Sequence, residues 1–210
     1  TIAARVMAGE LLSNFDLVDP EIDTYAVKEA VLPFARFPGV DTILGPEMRS
    51  TGEVMGSDAN FHRAFLKAQM GAGTDLPKDG KGKVFLSIRD DDKTPDMLEA
   101  AQTLTALGHA LIATSGTAKW LQDQGLEVEV VKKVYEGKPN VVDQLKDGKI
   151  SLVMNTTEGA MAIADSRDIR NVALMDKIPY FTTAAASHAA ALAMKARVEG
   201  DVGVMALQEV

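Results

Sequence analysis

The sequence predicts an α/β fold: a three-layer domain with a central parallel sheet, preceded by a small α+β segment. Three observations predict it. Between Lys83 and Glu199, short apolar runs alternate with helix-patterned stretches. That is the rhythm of a parallel sheet covered on both faces. Helix start and stop residues fall between the runs. The stretch Gly71–Gly82, GAGTDLPKDGKG, is rich in Gly, Pro and charge and reads as a linker. The expected division is residues 1–76 and 77–210.

In the first part, TYAVKEAVLPF (Thr24–Phe34) is strand-like and Asp58–Met70 is helical. Between them lies LGPEMRSTGEVMG (Leu44–Gly56), with one proline and three glycines. This part does not look self-sufficient, because its apolar faces lack partners. The opening TIAARVMAGELL reads as a helix already under way, as in a piece of something larger.

In the second part, KVFLSIR (Lys83–Arg89) is a buried strand. Thr94–Leu107 is a helix with Thr94 as N-cap, Pro95 at the first helical position and Asp96 in the first turn. Met97, Ala101 and Leu104 form its apolar stripe, and Gly108 stops it. HALIAT is the next strand, followed by a helix over Gly116–Gln124. LEVEVV is a short strand, Asn140–Lys146 a short helix, and ISLVMNT a strand. Asp165–Asp176 reads as a helix, IPYFT as a strand and Ala184–Glu199 as a long Ala-rich helix. VGVMAL is one more candidate extended segment.

Composition narrows the function classes. The formal net charge of −8 disfavours non-specific nucleic-acid binding. With no cysteine, disulfides, thiolate catalysis and Cys-ligated metals are excluded, which fits a cytoplasmic setting. His62, His109 and His188 are scattered without metal-site spacing, so no metal site is expected. Apolar runs are too short to span a membrane, and the start lacks signal-peptide features.

Ligands of open α/β sheets bind beyond the carboxyl ends of the strands. Those ends carry Ser87 and Lys93, then Thr114, Ser115, Gly116 and Thr117, then Lys132 and Lys133, then Asn155, Thr156 and Thr157. Hydroxyls, helix N–H groups, a glycine and ammonium groups on one rim are what a phosphate monoester needs. Asn155 and the threonines suit a ribose, and Val134 or Val141 an apolar wall for a base. Singly, each residue has a plainer reading: Thr114 as an N-cap, Lys93 and Lys133 as solvated surface charges.

The runs AVKEAVLPFARFPGVD (Ala26–Asp41) and LGPEMRSTGEVMG resemble the end of the second ATP-grasp half of the carbamoyl phosphate synthetase large subunit. The later runs ATSGTA, KKVYEGKP, NTTEG, AIADSRDIR and PYFTT, in that order, resemble that subunit's regulatory domain. That domain has the methylglyoxal synthase-like fold. ATSGTA alone is shared with methylglyoxal synthases.

The resemblance implies an ATP-dependent ligase that makes carbamoyl phosphate for pyrimidine and arginine synthesis. It uses ATP and Mg2+ (or Mn2+), with a small glutaminase subunit as partner. It also implies UMP as inhibitor, IMP as activator and ornithine as a separate effector. Carried onto this chain, Lys93, Thr114, Gly116, Thr117 and Lys133 would hold the nucleotide phosphate. Ser87, Val141, Asn155 and Thr157 would face the ribose and base. Glu29, Asp165, Tyr180 and Thr182 would belong to the ornithine pocket. Asp165 also fits an N-cap, and Tyr180 a core aromatic with a bonded hydroxyl.

The sequence departs from the family at Phe181, where many relatives have an acid. It departs again at Ala184-Ala185-Ala186, and at Glu158 and Ala160 after NTT. ATP and magnesium ligands fall upstream of Thr1 in the family, so neither catalytic residues nor cofactors are expected in this chain. The alternatives are a methylglyoxal synthase-like lyase acting on dihydroxyacetone phosphate, and an interaction domain with an empty pocket. The lyase needs a carboxylate base at the tip where Asn155-Thr156-Thr157 stands.

Overall fold

A computed structural model describes residues 1–18, 23–31, 52–78, 80–156, 166–200, 202–204 and 206. Helix α1 (Ile2–Met7) opens the chain without burying a residue. Strands β1 (Tyr25–Val31) and β2 (Gly52–Asp58) pair antiparallel, from Tyr25 opposite Asp58 to Val31 opposite Gly52. Helix α2 (Phe61–Gly71) follows at once. Its N-cap is Asn60, whose side chain accepts hydrogen bonds from the His62 and Arg63 N–H groups.

This differs from the expected helix over Asp58–Met70, because Asp58 ends a strand and the Asn60 cap sets the helix start. Strand β2 went unread behind its glycines. One of them explains itself: a Cβ on Gly56 would come 2.1 Å from the Ala64 carbonyl oxygen and 2.5 Å from the Ala68 nitrogen. Only a glycine lets β2 lie this close to the α2 backbone.

The larger sheet has five parallel strands: β3 (Lys83–Ser87), β4 (Ala110–Ala113), β5 (Val128–Val130), β6 (Ile150–Asn155) and β7 (Tyr180–Phe181). Their spatial order is β5-β4-β3-β6-β7. Helices α3 (Pro95–Ala106), α4 (Ser115–Asp123), α5 (Val141–Lys146), α6 (Arg167–Met175) and α7 (Ala184–Glu199) connect and cover it. Thr94 caps α3 as its sequence predicts, accepting from the Met97 N–H at 3.4 Å.

Strand alternation splits the core in two. Val84 and Leu86 face a cluster with Met97, Ala101 and Leu104 of α3, Leu121 of α4 and Met194 of α7. Phe85 faces the other side, with Val141 and Leu145 of α5 and Ile169 of α6. The first cluster also takes in Phe65 and Leu66 of α2 and Leu76, so the core runs without a break across the expected boundary at residue 76. Val202–Val204 carry no regular structure, and Val204 is fully exposed. The extended segment expected there has no strand to join among the described residues.

Candidate functional site

The chain passes from β3 outward to β4 and β5, then crosses to β6 on the opposite side of β3. The reversal leaves a crevice above the carboxyl ends of β3 and β6. Ser87 and Asn155, the last residues of those strands, are register partners there. A cleft of about 750 Å³ opens at this place.

Eight residues expected at a nucleotide line it: Ser87, Lys93, Thr114, Gly116, Thr117, Lys133, Val141 and Asn155. Thr157 lies outside the described residues, as do Glu158 and Ala160.

Local hydrogen bonds fix the rim. Thr114 stands at the N-cap position of α4 but makes no side-chain cap bond. Its hydroxyl donates instead to Thr117 Oγ1 at 3.4 Å. Thr117 is 1% exposed; its oxygen accepts from the Ile88 N–H at 2.9 Å and its hydroxyl donates to the Ile88 carbonyl at 3.2 Å. Thr117 therefore ties the β3 exit to the start of α4. The Thr156 N–H donates to the Ser87 carbonyl, and Thr156 Oγ1 accepts from the Arg89 N–H at 3.1 Å. Asn155 Nδ2 donates to Ser166 Oγ at 3.1 Å and to the Tyr180 hydroxyl at 2.7 Å.

Charge is more balanced in the cleft than the sequence suggests. Lys93 Nζ is 2.6 Å from Asp90 Oδ1 and 3.2 Å from the Gly116 carbonyl oxygen. The Lys93 ammonium holds the Asp90 carboxyl below its usual range. Arg89 is clamped by Asp92 through two nitrogens, at 2.6 and 3.3 Å, which lowers Asp92 and raises Arg89. The Lys133 ammonium lies 5.8 Å from the centre of the Tyr135 ring. Its backbone N–H donates to Glu136 Oε2 at 2.8 Å.

Arg89, Asp90, Asp91, Tyr135, Glu136 and Ser166 also line the cleft and were not foreseen. The strand-end rule could have found Arg89 and Asp90, which follow Ile88 just past the end of β3. It could not have found Ser166, which the fold brings back from the N-cap position of α6.

A second cleft of about 450 Å³ lies between the two parts of the chain. Glu29 of β1, Gln69 of α2 and Tyr180 of β7 line it. Gln69 Nε2 donates to Glu29 Oε2 at 2.9 Å, and burial raises the Glu29 carboxyl above its usual value. Thr182 is exposed and does not line this cleft, and Asp165 lies outside the described residues. Phe181 is 8% exposed, with its ring 6.4 Å from that of Phe65. That side chain is part of the apolar core.

Residues 96–182 match the MGS-like domain family. This chain carries an MGS-like domain. The match spans α3 to Thr182 and so takes in most of the larger sheet. The whole chain is similar to carbamoyl phosphate synthase large chains. It is 50% identical to that of Rhizobium meliloti (strain 1021) over 219 residues, covering 99% of this chain and 18% of the relative. It is 54% identical to that of Pseudomonas putida over 195 residues, covering 92% of this chain and 18% of the relative. With the Myxococcus xanthus protein the identity is 49%, covering 99% of this chain and 19% of the relative. The chain thus spans about a fifth of these relatives. The matched residues line most of the larger cleft, β3 and the turn after it line the rest, and the smaller cleft brings residues of β1 and α2 against α6 and β7. Among the described residues no helix is long and apolar enough to cross a membrane, and no group of His, Asp and Glu is arranged to hold a metal ion.

Proposed function

We propose that this chain is a regulatory region of a carbamoyl phosphate synthase large chain. Its larger cleft takes a nucleoside monophosphate effector, UMP as inhibitor or IMP as activator. One observation carries the reading: the residues expected around a nucleotide come from four separate strand ends and line a single cleft. The phosphate sits among Lys93, Lys133, Thr114 and the N–H groups at the start of α4, where the helix dipole also favours an anion. Thr117 holds this frame through Ile88. Both amide protons of Asn155 have acceptors, so its Oδ1 is the atom left for a ribose hydroxyl.

The smaller cleft takes the amino cation of ornithine beside Glu29, with Tyr180 on the opposite wall. Residues upstream in the large chain complete that site. Catalysis, with ATP and Mg2+ (or Mn2+) and the small glutaminase subunit, belongs to the rest of the enzyme in the cytoplasm. This region alone is inactive. Regulation is then linkage: an effector that binds two conformations of the intact enzyme unequally shifts their populations.

The lyase alternative gains no support from the geometry. The tip of β6 offers Asn155 and Thr156, neither of which abstracts a proton from carbon. Asp90 on the rim is held ionised on Lys93 and is a correspondingly weak base.

Isothermal titration of this chain with UMP and with IMP tests the proposal. Heat of binding with one or both is expected. No heat with either, at protein concentrations near millimolar, sinks it.

A further inference from the structure

We propose that Tyr135 is the platform on which the effector's base stacks, paired with Lys133 as one clasp for a nucleoside monophosphate. The inference rests on the nucleotide reading of the larger cleft and names the residue that tells a nucleotide from a bare sugar phosphate.

Tyr135 belongs to the turn Val134–Glu136, which follows β5 after Val131, Lys132 and Lys133. The turn is held firmly. The Lys133 N–H donates to the Glu136 carboxylate at 2.8 Å, and the Glu136 N–H returns to the Lys133 carbonyl at 3.1 Å. Beyond it, the Val141 N–H donates to the Lys132 carbonyl at 3.2 Å. Tyr135 is 66% exposed at the mouth of the cleft. Behind it the wall is apolar: Val134 is partly buried, and Val141 and Ile169 are buried.

The Lys133 ammonium lies 5.8 Å from the ring centre, within reach of the negative face of the ring. The two residues thus stand side by side with complementary tastes. The ammonium takes a phosphate, and the ring takes a flat base by stacking. A nucleoside monophosphate uses both, whereas ribose 5-phosphate uses only the first.

The test titrates UMP, IMP and ribose 5-phosphate into the unmodified chain, Tyr135→Ala and Tyr135→Phe. The expected result is that Tyr135→Ala weakens UMP and IMP about tenfold, the loss of one base–aromatic stack. Ribose 5-phosphate should bind as before, and Tyr135→Phe should match the unmodified chain. Unchanged UMP affinity in Tyr135→Ala overturns the inference. So does an equal loss for UMP and ribose 5-phosphate, since Tyr135 then acts only through Lys133. If the unmodified chain binds no nucleotide, the nucleotide reading falls and this inference with it. If it binds and Tyr135→Ala makes no difference, the inference falls alone.

Discussion

Asp90 occupies the ammonium of Lys93, at 2.6 Å, while that ammonium also reaches the Gly116 carbonyl at 3.2 Å. The carboxylate stands where an incoming phosphate would have to bind. Asp90 is itself almost wholly exposed, with 93% of its side chain accessible, so little holds it there besides Lys93. Asp90→Asn should tighten UMP binding about threefold in titration, the scale of an exposed ion pair. Asp91→Asn is the control: it removes a charge from the same cleft but no bond to Lys93. Equal gains from both would mean that only the general field had changed.

Lys133→Ala should weaken UMP by roughly 1.5–3 kcal/mol, the range of a hydrogen bond to a charged group. The loss should shrink as salt is raised, because part of it is screened Coulomb attraction. An unchanged Kd would remove Lys133 from the phosphate site.

Gly56→Ala should destabilise the fold by about 1–3 kcal/mol or more. The added methyl meets the backbone of α2, which cannot turn aside as a flexible side chain can. The measurement is the midpoint of urea unfolding. A midpoint equal to that of the unsubstituted chain would contradict the close approach of β2 and α2.

Burial pushes His109 below its usual 6.5, and its Nδ1 is buried without a hydrogen-bond partner among the described residues. Burial pushes His62 in the same direction, helped by the charge of His188. The unfolded chain therefore binds protons at these sites more readily than the folded one. Their contribution is fully present above pH 6.5 and is lost as pH falls through the lowered folded values. Urea midpoints should drop between pH 7 and pH 5, and His109→Leu should flatten that drop. The same slope in the variant would show that His109 does not carry it.

Glu29 has the opposite sign. Burial raises its carboxyl above 4.5, so its favourable contribution is present below that value and fades as pH rises through the raised one. At pH 7 the buried charge is a burden. Glu29→Gln keeps an acceptor for Gln69 and should raise the urea midpoint at pH 7 but not at pH 4. The same substitution should abolish any binding of an amino cation to the smaller cleft. Retained binding in Glu29→Gln would take Glu29 out of that site.

Most of the larger sheet was legible because its elements announce themselves locally. Thr94-Pro95 and Gly108 bracket α3, and Ala184–Glu199 is the helix its alanines predict. Strand β2 was not legible, since two glycines, a serine and two acidic residues hide it. Its pairing with β1 and the bare backbone of Gly56 against α2 are long-range facts. The rim residues were legible as strand ends, which is why Ser87, Lys93, Thr114, Lys133 and Asn155 group together in the sequence.

From Lys83 to Glu199 the sequence by itself determined the order of strands and helices and the residues at each strand's carboxyl end, because periodicity and capping act over a few neighbours. Tertiary structure decided which of those residues tie the frame together and which are left to line the cleft. It committed the Thr117 hydroxyl to Ile88 and set Asp90 on Lys93. It also joined Asn155 to Tyr180, one on each cleft, through a single 2.7 Å hydrogen bond. The reason is physical: a buried polar group must find a partner, and which partner is in reach depends on how distant segments meet.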